Sequence, residues 1–477
     1  MTRIVPLALA CALLGGCYLS HRRGNAEDGG PPPLDAPATL DAPVDAPAID
    51  APVIVPDIAC ALVPDETMQA TDTPYAAHAP ALGWDGEKLG LVVFESDGAI
   101  AHPTVSATRL PLDLTSTSAL RLAGEESHSW GEAAWDPSVG FAVCWNGDPG
   151  GRSRTLFRLR DRAGAELAPR LELDPEGGAC EGLARAPDRW GAVWRHGGPE
   201  VSMRAGVIDD GGRLVGHVDL DEPVAYPGRG ASIAADGDGF VVALPREGEW
   251  LEVIRIDREG RVEVRGRVLA PTVTGAAIAV HDDGTLGLAI REGAGEAAGL
   301  RFLRLDRDLT PLPGEARLVE SRGVRSPRLA AMPDGWAVLW VEQADPTRPA
   351  TAAALAHLDR EGVPREARHT LARGENSDYG GPDLLAHAGG LYVAIARPPG
   401  ELGHEQAFVT RLDCEAPAPD RCAPQDARPS GDDCASLYGF VWDGARCAPI
   451  LCGCIGADCD RLAPLEEECL ADHAGCF

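Results

Sequence analysis

Lysine is nearly missing from this chain. Lys88 is the single one among 43 basic residues, which face 73 Asp and Glu for a formal net charge of −30 over 477 residues. So acidic a body repels nucleic acid and anionic membrane surfaces, and neither is expected as a partner. A cationic partner would be compatible, but a solvated acidic surface accounts for the charge equally well. The preference for arginine, in a chain with 56 Gly and 40 Pro, follows the codon bias of a GC-rich genome and carries no mechanism. Long apolar runs are also wanting: the one at residues 4–14 is too short to cross a bilayer. Sustained helical periodicity is absent from the body of the chain. There is no Gly-x-Ser-x-Gly elbow, no His-Glu-x-x-His and no phosphate-cradling glycine loop. His404-Glu405 lacks a second histidine, and Asp236-Gly237-Asp238-Gly239 is too short for a calcium loop and reads as a hairpin turn. The sequence therefore assigns no catalytic residue, no metal and no cofactor.

What is present begins with an address. Arg3 precedes the short apolar run, and Leu14-Gly15-Gly16-Cys17 resembles the bacterial lipobox. The resemblance implies a signal peptide over residues 1–16, a thioether lipid on Cys17 and acylation, such as palmitate, of its new amine. Three chains on one residue would hold a protein stably in a membrane, where a single chain would not. The bland alternative is ordinary secretory cleavage with an unmodified Cys17. Position 18 is Tyr rather than the Asp that retains some lipoproteins in the inner membrane, which points to the outer membrane. Arg3 is the one charge before Cys17, so removing the leader leaves −31. Residues 17–57 read as a disordered tether, with Asp-Ala-Pro starting at Asp35, Asp41, Asp45 and Asp50. Proline fixes φ, the aspartates repel, and too little apolar surface is present to repay ordering. At roughly 3 Å per residue the spacer reaches on the order of 100 Å.

Residues 58–414 read as an all-β, seven-bladed β-propeller. Seven apolar runs follow tight turns, anchored at Leu91, Phe141, Trp190, Phe240, Leu286, Trp336 and Leu391, at spacings of 50, 49, 50, 46, 50 and 55. A second landmark keeps the same period: Asp113, Asp161, Asp209, Asp257, Asp306, Asp359 and Asp413 each closely follow a hydrophobic residue, often before a glycine turn. A third is a leucine ending the next run, at 122, 173, 220, 269, 318 and 371. Three landmarks on one period make a chance repeat untenable. Each unit holds four β-like runs. Asp334-Gly335 leads into a run in which Trp336, Val338 and Trp340 face one way and Ala337, Leu339 and Val341 the other. Apolarity on both faces requires burial on both faces, as in a sheet sandwiched between sheets. Residues 261–265 alternate instead, as a wet outer strand should. Four strands in about fifty residues fit a propeller blade.

The seventh repeat lacks its last strand. Leu62-Val63-Pro64-Asp65-Glu66 resembles Leu122-Ala123-Gly124-Glu125-Glu126 and is expected to supply it, closing the ring. Cys60 would then lie beside Cys414 and seal the closure with a disulfide. Cys144 and Cys180 are either a second disulfide or two separately buried thiols. The remaining crowd, Cys422, Cys434, Cys447, Cys452, Cys454, Cys459, Cys469 and Cys476, falls in residues 415–477, which hold few large apolar residues. Such a segment needs cross-links to hold a fold, so four disulfides in an oxidising compartment are expected ahead of zinc.

The degenerate fifty-residue units, with an aspartate-glycine turn before an apolar strand and Arg-Ile-Asp-Arg-Glu-Gly or His-Leu-Asp-Arg-Glu-Gly later, resemble those of secreted myxobacterial lipoproteins. Trp84-Asp85 and Trp135-Asp136 are similar to WD repeats but precede the buried strand and lack the Gly-His partner, and residues 387–392 resemble a kelch unit once only. The terminal segment resembles a small cysteine-rich module appended to extracellular proteins of the same bacteria. These resemblances imply fold and address, not activity. The function expected is that of a cell-envelope binding or scaffold lipoprotein, held by its lipid anchor, with a protein or glycan ligand. The alternatives are a carbohydrate-active or other hydrolytic or lyase propeller, and a structural subunit of an envelope or secretion assembly. Trp130, Arg229, Arg325 and Tyr379 are expected near the channel mouth, although packing and turn roles explain such residues as well. One test of the address is direct: globomycin should block processing at Cys17 in cells, and continued processing in its presence would sink the lipoprotein reading.

Overall fold

The computed structural model describes residues 61–71, 76–96, 104–114, 131–147, 154–197, 202–220, 230–246, 250–270, 272–320, 322–343, 350–365, 368–375, 381–387, 390–397, 405–415, 424–429, 437–451, 454–455, 459 and 462–473. They form seven radial antiparallel sheets, each a meander from an inner strand outward. The inner strands are Ala76–Trp84, Gly131–Asp136, Cys180–Ala186, Ser232–Asp236, Val273–Val280, Arg325–Met332 and Asp383–His387. Each touches the next, and the last touches the first, so the blades close into a ring around a channel. Blades 2 to 6 have four strands of their own. Blade 1 shows three among the described residues; the Leu122 landmark lies outside them.

Blade 7 has three strands of its own, and its fourth comes from the other end of the chain. Ala61–Gln69 pairs antiparallel with Gln406–Glu415, from Ala61 opposite Glu415 to Gln69 opposite Phe408. This is the closing strand the sequence led us to expect. Side chains finish the seam. Thr71 Oγ1 donates to Gln406 Oε1 at 2.8 Å and accepts from the Ala407 N–H at 2.9 Å. Leu62 stands opposite Cys414, while Cys60 and the Cys414 side chain lie outside the described residues.

All seven anchor residues fall on second strands and are essentially fully buried. In blade 6, Trp336, Val338 and Trp340 pack toward blade 5, and Ala337 and Leu339 toward blade 7. The junctions follow a two-blade rhythm. Gly90, Gly191 and Gly287 sit on second strands of blades 1, 3 and 5. A Cβ at these sites would meet the rings of Trp135, Phe240 and Trp336, contributed by blades 2, 4 and 6, at 2.3, 2.5 and 2.6 Å. A large ring from one blade thus fills the space a missing side chain leaves on its neighbour. The outer strands are wet: Val262–Leu269 alternates half-buried and exposed. One landmark needs correcting here. Leu269 ends its strand opposite Trp250 but is 78% exposed, and Val268, opposite Leu251, takes the buried position.

The aspartate landmark is a turn device. Asp161, Asp209, Asp257, Asp306 and Asp359 each accept the amide four residues on at 2.8–2.9 Å. The residue three on lies at positive φ: Gly164, Gly212, Gly260 and Gly362 between +72° and +86°, and Leu309 at +62°. A type I turn followed by a left-handed residue matches the twist of the two strands it joins. Leu309 bears the steric cost of that conformation, about 1 kcal/mol, and offsets it by burial in the core.

The C-terminal module is a hairpin, Leu437–Trp442 with Cys447–Leu451, and a short helix, Glu466–Asp472. Cys447 is bonded to Cys469 and Cys454 to Cys459. Trp442 is the centre of its small core and stacks on His473 at 4.7 Å. Cys422, Cys434, Cys452 and Cys476 lie outside the described residues. The helix reaches blade 6 through charge: Arg322 Nη1 meets Glu468 Oε1 at 3.1 Å, and Arg368 joins Glu468 to the buried Glu342, whose two oxygens it holds at 2.6 Å.

The closing seam makes a stability prediction. Thr71→Val keeps the shape but removes the hydroxyl that serves both Gln406 and the Ala407 amide. Chemical denaturation should show a loss of about 1–3 kcal/mol. An unchanged midpoint would mean that these bonds do not hold the seam.

Candidate functional site

In a radial sheet the innermost strand turns a backbone edge to the axis, and neighbouring blades converge on it. Little room remains for side chains there, and small residues recur: Ala133, Ala184, Ala234, Ala276, Ala330 and Ala386. Long polar side chains also occur on these strands, Glu181, Arg185 and Arg325 among them, and three others matter here. Glu132 comes from the inner strand of blade 2, Arg328 from blade 6 and Asp383 from blade 7.

They meet in one cluster. Arg328 Nη2 lies 3.5 Å from Glu132 Oε1, and its Nε lies 3.6 Å from Asp383 Oδ1. Nε also donates to the Pro382 carbonyl at 3.1 Å. The second carboxylate oxygen of Asp383 accepts the Leu82 amide of blade 1 at 2.6 Å. One guanidinium thus joins blades 6, 7 and 2, and one carboxylate joins blades 7 and 1, across the part of the ring that contains the closing seam. The three side chains keep 28%, 15% and 21% of their surface open for Arg328, Glu132 and Asp383, so water reaches the cluster.

Two carboxylates around one cation leave an excess of negative charge. Burial raises the Asp383 carboxyl to about 6, and the neighbouring Glu132 charge adds to this. Arg328 and the Leu82 amide pull the other way without cancelling it. For Arg328, burial disfavours the cation and the two carboxylates more than offset it. The cluster can therefore donate hydrogen bonds, accept them and exchange a proton at mildly acid pH.

The residues singled out in the sequence fare differently. Arg325 opens the inner strand of blade 6 and is exposed, three positions before Arg328. Trp130, Arg229 and Tyr379 lie outside the described residues, as does His404. Glu405 sits 2.9 Å from His78 Nδ1, joining blade 7 to blade 1. Cys144 and Cys180 form a disulfide with Cα atoms 5.8 Å apart, tying blade 2 to blade 3. Glu132, Arg328 and Asp383 were not found by sequence reasoning, though a signal existed: each is a long polar residue beside the small residues of an inner strand. Among the described residues no cluster of three or more His, Cys, Asp or Glu is arranged to hold a metal, and no helix is long and apolar enough to cross a membrane. On the opposite face an open groove of about 510 Å³ runs between blades 4 and 5. There Arg255 is already engaged by Asp236 and the Arg307 carbonyl.

No protein-family model and no curated protein matches the chain. Among solved structures, a protein of unknown function from Dyadobacter fermentans aligns at 12% identity and TM-score 0.47, over 74% of this chain and 99% of that one. The polysaccharide lyase Uly1 aligns at 10% identity and TM-score 0.43, over 71% and 90%. A subtype N11 neuraminidase-like protein (A/flat-faced bat/Peru, H18N11) aligns at 10% identity and TM-score 0.39, over 76% and 96%. At these values none bears on function.

Asp383 also makes the ring pH-sensitive in a definite direction. Its folded value of about 6 exceeds the ordinary 3.8, so the folded chain holds this proton more tightly than the unfolded one. Its contribution is therefore favourable at low pH, is lost as pH rises from about 4 to about 6, and is flat above that. Asp383→Asn mimics the neutral acid. The difference in unfolding free energy, variant minus wild type, should grow by up to about 3 kcal/mol between pH 4 and pH 7. A difference that does not change with pH would show that the cluster does not strain this carboxylate.

Proposed function

We propose that this chain is a lipid-anchored protein of the outer membrane that carries its ring on a tether and binds an extracellular ligand at the channel. The observation that supports it best is the cluster of Glu132, Arg328 and Asp383, set among strand edges where small side chains recur. A few convergent polar groups in a confined, water-reached place are what a binding site needs. Carboxylate, guanidinium and carboxylate in a row offer acceptors and donors to vicinal hydroxyls, so a glycan is the ligand of choice over a protein surface. The blade ring supplies the rigidity, since every wall strand is held between two others.

A second reading rests on Asp383 alone. A carboxyl near 6 beside another carboxylate suits an acid and base pair for glycosidic bond cleavage. One experiment separates the two. The full chain, purified in detergent, is screened against immobilised glycans, and hits are titrated calorimetrically. Arg328→Met should weaken binding about tenfold or more, equivalent to about 1.4 kcal/mol. Binding equal to wild type would remove the channel from the site. Release of new sugar ends from a bound glycan, abolished by Asp383→Asn or Glu132→Gln, would establish the enzyme instead.

A further inference from the structure

The junction of blades 2 and 3 holds a different set of groups, on the same side of the ring as the channel cluster. Asp174 ends the outer strand of blade 2, Leu171–Asp174, and is completely buried. His196 ends the second strand of blade 3, Arg189–His196, and its Nδ1 lies 2.6 Å from Asp174 Oδ2. A carboxylate is an acceptor, so Nδ1 carries the hydrogen and, in the neutral ring, Nε2 carries the free lone pair. The other Asp174 oxygen accepts the Glu176 amide at 2.9 Å, which fixes the carboxylate in turn. The imidazole is thus oriented by a fully buried, immobilised partner while a fifth of its own surface stays open.

Ser202 begins the next strand, Ser202–Asp209, directly opposite His196 in the ladder. Opposed residues of an antiparallel pair point to the same side, with Cβ atoms about 4.5–5.5 Å apart. Ser202 is half-buried and shares that side of the sheet with His196. Arg204, two residues on and therefore on that same side, holds Asp219 through Nε at 2.5 Å and lies 3.8 Å from Asp174 through Nη1. Its Nη2 has no partner among the described residues. Glu176 Oε2 now stands 3.6 Å from His196 Nε2, on a side chain 60% exposed and free to be displaced. The connection that carries Glu176 is stapled at its far end by the Cys144–Cys180 disulfide.

We propose that Ser202 is a nucleophile activated by the Asp174–His196 pair, in a second site at this junction that hydrolyses carboxylic esters. His196 Nε2 takes the Ser202 hydroxyl proton as Oγ bonds to the ester carbonyl carbon, and the oxyanion develops beside Arg204. Collapse breaks the bond to the alcohol oxygen, which leaves with the proton from His196. Water then gives a proton to Nε2 and attacks the acyl-serine, and Ser202 departs with that proton. Ester and water become acid and alcohol, with no other reactant. Buried carboxylate, oriented imidazole and serine are the roles that define this chemistry on unrelated folds. The proposal stands independently of the channel.

A fluorophosphonate reports on such a serine by bonding to Oγ with loss of fluoride. The full-length chain in detergent is treated with the probe, weighed intact and digested. A single adduct on Ser202 is expected, absent in Ser202→Ala, and formed at least 100-fold more slowly in His196→Gln, with p-nitrophenyl acetate hydrolysis falling in parallel. No adduct on the wild type, an adduct mapped elsewhere, or equal labelling of Ser202→Ala would overturn the proposal. Thermal unfolding checks that the variants are folded. Should His196→Gln unfold, the adduct map of the wild type together with Ser202→Ala decides the matter.

Discussion

Everything in the ring depends on one pairing, that of Ala61–Gln69 with Gln406–Glu415. Each blade buries apolar side chains on both faces, so each needs a neighbour on either side. A linear array of seven sheets would leave the face of blade 1 and the face of blade 7 in water. Pairing the chain's two ends within one sheet converts that array into a ring. It also removes the unpaired outer edge that Gln406–Glu415 would otherwise present to other chains. The loop so closed spans nearly the whole propeller, so the pairing must overcome a large closure entropy, which grows slowly with length. The buried Thr71, Gln406 and Ala407 network extends the pairing past the last ladder residue, where fraying would begin.

Closure explains where polar groups are tolerated. A ring of wedge-shaped blades is tightest at the axis and loosest at the rim. At the axis small side chains recur, and a long polar residue there can be held by several blades at once. Arg328 and Asp383 meet that demand by serving carbonyl, amide and carboxylate partners across four blades. Between neighbouring blades the fit is set by the exchange of a glycine for an aromatic ring, at Gly90 with Trp135, Gly191 with Phe240 and Gly287 with Trp336. A methyl group added at any of them would have to displace a ring that is itself packed on every side, which costs about 1–3 kcal/mol in well-filled cores. The channel geometry therefore rests on contacts well away from it.

Much of this was legible in the sequence, because it repeats. Trp336, Val338 and Trp340 were assigned to one buried face and Ala337 and Leu339 to the other, and the blade packs that way. The missing strand of the seventh unit was visible as a gap in a period, and the N-terminal run filled it. What one sequence hides is whatever does not repeat. Glu132, Arg328 and Asp383 stand at one phase, three residues before the partner of each blade's anchor, but blades 3, 4 and 5 put Gly182, Ser232 and Ala277 there, and only the ring brings blades 2, 6 and 7 together. Asp174 and His196 are separated by 22 residues and belong to different blades, so no spacing rule joins them. Leu269 shows a subtler limit: it keeps the period of the landmark leucines, yet the buried position is its neighbour Val268.

The two faces of the ring are not equivalent, and the reason lies in the turns. Turns between first and second strands, and between third and fourth, lie on one face. There the landmark aspartates spend their carboxylates on their own backbone amides, and Asp85 and Asp136 do the same at earlier turns. Charge on that face is consumed in holding strands together. The opposite face carries the connections from second to third strand and from each outer strand to the next blade. These have no shared turn to conserve, and their length varies from one blade to the next. Glu132, Arg328 and Asp383 approach the channel from strand ends on this side, Asp174, His196 and Ser202 lie at strand ends on it, and the C-terminal helix docks there through Arg322 and Glu468. The repeat thus commits one face to stability and leaves the other free to differ, and every group able to act on a ligand in the described chain's two clusters belongs to the face left free.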